Sequence, residues 1–250
     1  HFRLELDNMV YAFDSSTISL CLKLCPWAKF RKTKGGIKMH TLLDLRGNLP
    51  VSVYLTTASV NDVKGLDELY IEPAAIYLMD KGYVDFNRLF KLINKKNAYF
   101  VTRAKDNMLF EVVSASSIDQ STGVIADEHI KLTGLRTSKW YPEELRMVTY
   151  EDYATNNVYR FLTNNMEYEA ITISELYRER WNVELFFKWI KQHLHIKSFY
   201  GTSENAIYLQ IWIAICTYLL LAYAKKVMHI EQSLHTISKN VGLFLTDKTH

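Results

Sequence analysis

The first hundred residues alternate short apolar runs with polar turns, which is typical of an α/β fold. Two stretches begin with residues that favour helix N-caps and continue with helical spacing of apolar positions, 59–70 and 81–97. Three early strands, a helix, a strand, a helix and a strand predict a mixed sheet with helices packed against it. The strand-like segments are 9–14, 39–59 (two strands and a turn), 75–80 and 98–104.

The pattern changes after residue 104. Residues 105–170 alternate apolar and polar positions between clusters of Ser, Thr, Asn and Gly, which predicts a β-rich insertion of antiparallel strands. From Ile173 to about Val227 the spacing is helical. We therefore predict three parts: the first part of the core at 1–104, the insertion at 105–170, and the helical completion of the core with the C-terminal helices at 171–250.

One predicted helix carries charges where its spacing implies partial burial. This helix covers residues 175–199, ELYRERWNVELFFKWIKQHLHIKSF. An ordinary ion pair between Arg180 and Glu184, worth only ~0.2–0.5 kcal/mol, is the simplest interpretation. However, four polar residues fall within about 60° on a helical wheel: Tyr177, Arg180, Glu184 and Lys191.

Two predicted strands end on a carboxylate, Asp14 and Asp80. In open α/β sheets, ligand sites collect where strand ends meet loops. A helix packed on the sheet would bring Glu184 to the same place. Three carboxylates repel one another unless cations are bound, and hard oxygen ligands suit Mg²⁺ or Mn²⁺. The pattern favours a two-metal site for phosphodiester chemistry, with the other polar residues of the helix gripping phosphates.

The spacing of the helix residues, Tyr-x2-Arg-x3-Glu-x6-Lys, resembles the Y-R-E-K signature of DDE transposases of the insertion-sequence-four family. Around Asp80, the run MDKGYVDF is similar to that family's second-acid motif, and YAFDSSTISL resembles its first-acid region. The separations, 66 residues from Asp14 to Asp80 and 104 from Asp80 to Glu184, suit a ribonuclease-H-like core with a β insertion before the last acid. The resemblance covers roughly Met9 to Gly201.

This resemblance implies the catalytic domain of a DNA transposase. Asp14, Asp80 and Glu184 would hold two Mg²⁺ or Mn²⁺ ions for strand cleavage at transposon ends and strand transfer to target DNA. Several members of the family cut and paste through a hairpin, with a flipped base held by aromatic residues of the insertion. Double-stranded DNA is the implied partner, bound by a homodimer.

The resemblance also implies that DNA phosphates are bound by Tyr177, Arg180 and Lys191. For base stacking, Trp140 is the candidate, because an aromatic face can hold an unstacked base. Packing of Trp140 in the insertion's own small core is the alternative interpretation. The basic run at 29–40, KFRKTKGGIKMH, is either a loop that contacts the DNA backbone or a plain solvated loop.

Composition is compatible with this function without demanding it. The chain has 250 residues, 48% of them hydrophobic, and a net charge of +3, which allows a nucleic-acid partner. Three cysteines without framework spacing favour a reducing compartment, and no secretory segment is visible. Together with the resemblance, this implies a bacterial cytoplasmic location, at the nucleoid when DNA is bound. Because the chain opens without Met, we expect the part that recognises terminal repeats to lie before His1.

The apolar segment 206–229 approaches the length of a membrane span. Polar residues and three tyrosines interrupt it, so we expect a fully buried core helix and no membrane association. Two other functions stay open. Another ribonuclease-H-like nuclease, such as a resolvase, would share the acids but not the helix spacing, and a transposase relic would bind DNA without catalysis.

Overall fold

A computed structural model describes residues 6–193 and 199–246. Its strands are β1 (Val10–Leu20), β2 (Lys29–Arg31), β3 (Lys34–Asp44), β4 (Leu49–Thr57), β5 (Ile76–Met79), β6 (Tyr99–Arg103), β7 (Phe110–Ala115), β8 (Val124–Leu132), β9 (Leu145–Asp152) and β10 (Asn157–Thr163). Its α-helices are α1 (Phe86–Arg88), α2 (Thr137–Trp140), α3 (Ala170–Glu179), α4 (Trp181–His193), α5 (Glu204–Val227) and α6 (Leu234–Thr246). Short 3₁₀ turns and a π-helical turn at Leu89–Ile93 complete the elements.

The chain divides into two compact units. The described part of the first unit comes from 1–15, 40–54 and 60–183, and the second comprises 16–39, 55–59 and the described part of 184–250. Strands β1, β3 and β4 contribute residues to both units. The three-part division expected from the sequence stays a prediction.

The first unit is built on a large mixed sheet with helices packed against it. Along this sheet the strands follow the order β3-β1-β5-β6-β10-β9-β8-β7, and β4 also pairs with β3. Strands β1, β5 and β6 are parallel neighbours, whereas β6, β10, β9, β8 and β7 follow one another antiparallel. Helix α3 packs across several of these strands. The predicted α/β class with a mixed sheet and a β-rich segment before the last helices is confirmed.

The core of the first unit forms where apolar strands pair side by side. All four residues of β5, Ile76–Met79, are buried, as expected for a parallel strand covered on both faces. Its neighbours bury Phe13 and Phe100, each at most 1% exposed. Tyr141 joins this core from the β-rich segment, with its ring edge-on to that of Phe100 at 6.4 Å. The β-rich segment therefore shares the core of the parallel strands.

The second unit is organised around α5. Ser203 caps this helix by accepting a hydrogen bond from the backbone N–H of Ala206 at 3.3 Å. Within the helix, Tyr218 packs edge-on against Phe186 and Trp189 of α4, with ring centroids 4.9 and 5.0 Å apart. One face of α5 is buried and the other is exposed. The expectation of a fully buried helix is therefore wrong. The side chains on one face of α5 are enough to pack it against the rest of the second unit.

Two predicted boundaries differ from the structure. Strand β1 continues past Asp14 to Leu20, since Thr17 and Ile18 also favour extended backbone. The described part of the helix predicted over 175–199 forms two helices that meet at Arg180, and residues 194–198 of that prediction lie outside the described residues. There, the N–H of Arg180 bonds the carbonyl of Tyr177 and the N–H of Val183 bonds the carbonyl of Arg180, both at 3.2 Å in the tighter i→i+3 pattern. A single helical wheel therefore does not describe this segment.

Candidate active site

The two predicted aspartates lie on neighbouring parallel strands. Phe13 of β1 pairs with Met79 of β5, and Asp14 and Asp80 are the next residue on each strand. Because adjacent strands lie about 4.8 Å apart and the two run in the same direction, the aspartates occupy equivalent positions at the same end of the paired segment. Asp80 also caps a 3₁₀ turn by accepting a hydrogen bond from the N–H of Gly82 at 3.4 Å.

The carboxylate of Asp14 is held in a partly buried network. Its Oδ2 forms an ion pair with Nη1 of Arg180 at 3.1 Å, and the two side chains are only 18% and 12% exposed. Its Oδ1 accepts from the N–H of Ser15 at 2.7 Å and from the hydroxyl of Tyr83 at 3.5 Å. Burial raises the pKa of Tyr83 well above its usual range, and the Asp14 charge adds to this shift. Tyr83 therefore stays neutral and acts as a donor.

The carboxylate of Asp80 is reached from α3. The hydroxyl of Tyr177 donates to its Oδ1 at 3.4 Å. Burial raises the pKa of Tyr177 to about 12, which the Arg180 guanidinium opposes and the Asp80 charge supports. The guanidinium carbon of Arg180 lies 5.7 Å from the centre of the Tyr177 ring. At the end of α3, Tyr177 thus contacts Asp80, and Arg180, three positions later, contacts Asp14.

The other two members of the predicted set belong to the second unit. Glu184 lies in the first turn of α4 and is partly buried. Lys191 lies in the last turn of the same helix, and burial lowers the pKa of its ammonium group. The placement of Glu184 beside Asp14 and Asp80 stays a prediction.

The carboxylates of Asp14 and Asp80 provide part of the ligand set that a hard cation needs. Asp14 and Asp80 supply carboxylate oxygens, the ligands that Mg²⁺ and Mn²⁺ prefer. Within residues 6–193 and 199–246, no group of three or more His, Cys, Asp or Glu side chains is arranged to hold a metal ion. At Asp14, the positive charge that balances the carboxylate comes from Arg180.

A cavity of about 370 Å³ opens beside Asp80 within the first unit. Its walls are aromatic and basic. Tyr159 and Phe161 stack on β10 with centroids 6.0 Å apart, and the Phe161 ring lies 4.9 Å from that of Tyr177. The guanidinium of Arg103 lies 5.1 Å from the Tyr159 ring centre. Tyr150, Arg178 and Trp181 also line it.

Sequence reasoning missed this cavity. Its residues come from β6, β9, β10, α3 and the start of α4, which are far apart along the chain. One signal was available, the pair Tyr159 and Phe161 two positions apart, which places both aromatic rings on one strand face. The register that sets Phe161 opposite Arg103 becomes known only from the folded sheet.

The predicted stacking residue, Trp140, lies elsewhere in the first unit. It ends α2, is 43% exposed and lines a separate cavity of about 430 Å³ with Lys105, Leu135 and Arg136. The cavity beside Asp80 does not include it. The stacking role of Trp140 stays a prediction.

The basic run is not a loop throughout. In the second unit, β2 pairs antiparallel with β3 through Lys29 and Gly35, so much of the run forms a hairpin. Its side chains at Lys29, Arg31, Lys32 and Lys34 are exposed, whereas Lys38 is buried. A role in contacting DNA backbone stays a prediction.

Comparison with known families agrees with this geometry. Residues 5–220 match the Transposase DDE domain family. The chain belongs to this family. The match includes the two strand aspartates, the residues of α3 and the whole of α4.

Three curated relatives carry transposase names. The chain is 38% identical over 236 residues to the transposase y4zB of Sinorhizobium fredii, covering 93% of the chain and 65% of the relative. It is 29% identical over 221 residues to the transposase of insertion sequence element IS5377 of Geobacillus stearothermophilus, covering 88% and 58%. It is 26% identical over 248 residues to the transposase of IS4SA of a Synechocystis species, covering 96% and 64%. The chain thus spans about three fifths of the length of these relatives.

A solved structure shares the fold. The piggyBac transposase in a synaptic complex with hairpin DNA superposes with a TM-score of 0.53 at 12% sequence identity, covering 92% of this chain and 51% of that one. At this identity the likeness concerns the fold alone. The ribonuclease-H-like architecture predicted from the sequence is confirmed.

Proposed function

We propose that this chain is the catalytic domain of a DNA transposase of the insertion-sequence-four type. It cleaves phosphodiester bonds at transposon ends and joins the freed strand to target DNA in a cut-and-paste reaction. The observation that carries the proposal is the equivalent placement of Asp14 and Asp80 on two parallel strands, contacted by Arg180 and Tyr177. The Y-R-E-K spacing and the IS4SA name of one relative support the choice of family.

Asp14 and Asp80, with Glu184 as third carboxylate, would hold two divalent ions, Mg²⁺ or Mn²⁺. When bound, such ions activate the attacking water or 3′-hydroxyl and stabilise the leaving oxygen. Arg180 supplies a positive charge beside Asp14, which offsets the repulsion between two neighbouring carboxylates. Once it is released from the carboxylate, the guanidinium can also bind a phosphate through two parallel hydrogen bonds.

DNA binding in this proposal uses both charge and aromatic surface. Arg180, Tyr177 and Lys191 bind phosphates near the cleaved end. The cavity beside Asp80 has a volume in the range of small-ligand sites, and its stacked Tyr159 and Phe161 rings offer faces on which an unstacked base can lie. A base held there would permit the sharp backbone turn of a hairpin intermediate. Trp140 is a second candidate for base stacking, in its own cavity.

The proposed partners and location follow from the reaction. Transposon ends and target are double-stranded DNA, and two ends must be brought together, so a homodimer on DNA is part of the proposal. The reaction takes place where the bacterial DNA is, in the cytoplasm.

The test uses the full-length protein that contains this chain, with DNA carrying its transposon end. Asp80→Asn, Asp14→Asn and Glu184→Gln should each lower metal-dependent cleavage by about a thousandfold or more, the scale for losing transition-state charge stabilisation. DNA binding by mobility shift should persist. Asp106→Asn, at a side chain that is 86% exposed, is the matched control and should leave cleavage unchanged. Full activity in Asp80→Asn would overturn the proposal.

A further inference from the structure

A further aspartate of the first unit contacts the segment that carries Asp14. Asp62 is the first residue of a 3₁₀ turn, Asp62–Glu68, and its Oδ1 accepts a hydrogen bond of 2.5 Å from the hydroxyl of Ser15. Ser15 directly follows Asp14 on β1, and all three side chains belong to partly buried residues of the same unit. Asp62 is thus one hydrogen bond away from the neighbour of a candidate metal ligand.

Capping of its own turn does not explain this contact. An acidic residue in a first helical turn often serves the free N–H groups there. Here Asn61 is the cap, since its side chain accepts a hydrogen bond from the N–H of Val63 at 3.3 Å. The Asp62 carboxylate instead bonds a residue 47 positions away along the chain. The contact therefore joins the turn to the strand that carries Asp14.

The same turn touches β1 at a second point. Gly65 lies so close to the strand that a Cβ atom on it would be only 3.1 Å from Cζ of Phe13, closer than side-chain atoms normally approach. The contacts of the turn with Phe13 and Ser15 lie on either side of Asp14 along β1. The turn is therefore placed to control the position of this one aspartate.

The two oxygens of Asp14 have different partners. Oδ1 accepts from the N–H of Ser15 at 2.7 Å and from the hydroxyl of Tyr83 at 3.5 Å. Tyr83 is only 3% exposed, and its hydroxyl also shares a hydrogen bond with the Ser15 side chain. Oδ2 pairs with Arg180, the group that the proposed function transfers to a phosphate. When Arg180 leaves, Oδ2 becomes available to a cation while Oδ1 stays held.

We propose that Asp62 is a positioning residue for Asp14 and acts through Ser15. By holding the Ser15 hydroxyl, it fixes the segment whose N–H binds Oδ1, and it thereby leaves Oδ2 as the oxygen that binds a divalent ion. Removing a group that orients a metal ligand commonly costs about 10–100-fold in metal affinity or activity. The inference rests on the proposed function, because it assigns Asp62 a task at the same ion site.

The first experiment measures binding of Mn²⁺ without cleavage. The full-length protein is titrated with Mn²⁺, the free ion is followed by electron paramagnetic resonance, and the binding that Asp14→Asn removes defines the site at Asp14. Asp62→Ala should raise the dissociation constant of this site by about tenfold. Glu68→Ala, at an exposed acid of the same turn, is the matched control and should bind as the wild type does. Wild-type binding by Asp62→Ala would overturn the proposal.

A conservative variant distinguishes positioning from direct ligation. In Asp62→Asn the amide oxygen can still accept a hydrogen bond from the Ser15 hydroxyl, so the dissociation constant for Mn²⁺ should stay near the wild-type value. If Asp62→Asn weakens binding as strongly as Asp62→Ala does, the carboxylate charge itself is required. Asp62 would then be a ligand of the ion, and the positioning role would be overturned.

Variants of Ser15 test the route of the effect. Ser15→Ala removes only the hydroxyl and should weaken Mn²⁺ binding as much as Asp62→Ala does, and the double variant should bind little worse than either single one. Ser15→Thr keeps the hydroxyl and favours a strand, so it should bind as the wild type does. Fully additive losses in the double variant would show that Asp62 does not act through Ser15.

Cleavage of transposon-end DNA gives an independent measurement. Asp62→Ala should need about tenfold more Mn²⁺ for half-maximal cleavage and should approach the wild-type rate once the ion is saturating. A lower rate at every ion concentration, with an unchanged midpoint, would indicate a purely structural role and overturn the proposal. If circular dichroism shows that Asp62→Ala is unfolded, Ser15→Ala carries the same prediction.

The outcomes separate this inference from the proposed function. Wild-type Mn²⁺ binding and cleavage by Asp14→Asn would overturn both, since no ion would then depend on Asp14. A loss in Asp14→Asn together with unchanged binding in Asp62→Ala would overturn the role of Asp62 alone.

Discussion

Two arginine–aspartate pairs in the first unit differ in a way that separates structure from chemistry. Arg146 bonds both oxygens of Asp127 at 2.7 and 2.8 Å and also donates to the carbonyl of Tyr168 at 2.6 Å, and both charged side chains are only 6% exposed. Arg180 meets Asp14 at 3.1 Å, and the two are 12% and 18% exposed beside an open cavity. The first pair is more deeply buried and bidentate. The second is longer and more exposed, as the proposed exchange of Arg180 between Asp14 and a phosphate requires.

The more buried pair, Arg146 with Asp127, should contribute more to stability. Arg146→Met leaves the Asp127 charge buried without its partner, which should lower the free energy of unfolding by about 3–5 kcal/mol. Urea unfolding followed by circular dichroism measures this. The double variant with Asp127→Leu should recover most of the loss, since an apolar pair of similar volume is often tolerated. A small effect in Arg146→Met would show that the two pairs are alike.

The open pair should matter more for activity than for stability. Arg180→Ala should cost about 1–2 kcal/mol of unfolding free energy, because water can reach Asp14 once the arginine is gone. In the same protein, cleavage of transposon-end DNA should fall by roughly a hundredfold or more, because the proposed phosphate ligand is lost. Arg178→Ala, two residues away on the cavity wall, serves as the comparison for general loss of positive charge. Normal cleavage by Arg180→Ala would assign this pair a structural role only.

The smallest effect concerns Tyr177. Burial raises its pKa to about 12, so the folded chain keeps the phenol proton to a higher pH than the unfolded chain does. Its contribution to stability is complete below pH 10 and is lost as the pH rises from 10 to 12. The free energy of unfolding of Tyr177→Phe should therefore fall less steeply with pH over this range than that of the wild type. Tyr200→Phe, at a tyrosine that is 98% exposed, should follow the wild type, and a Tyr177→Phe curve with an unchanged slope would contradict the assignment.

What the sequence could predict depended on local pattern. Asp14 and Asp80 were recognisable because each follows an apolar run, and parallel pairing of those runs places them together whatever the rest of the chain does. The α/β class followed from the same alternation. Arg180 was identified by spacing alone, although its ion pair with Asp14 spans 166 positions.

What it could not predict depended on tertiary contacts. No Pro or Gly marks the break at Arg180, and both Glu179 and Arg180 favour helix. The exposed face of α5 was hidden because an apolar helix reads the same whether one face or both are covered. The cavity beside Asp80 needed the register of β10 against β6, which pairs residues about 60 positions apart.

The most direct test of the central claim, that Asp80 holds a catalytic divalent ion, is a change of ligand type. In the full-length protein, Asp80→Cys should lose cleavage in Mg²⁺, because a thiolate is a poor ligand for so hard a cation, and should regain part of it in Mn²⁺. Asp106→Cys should cleave normally with either ion. Full cleavage by Asp80→Cys in Mg²⁺ would contradict the account.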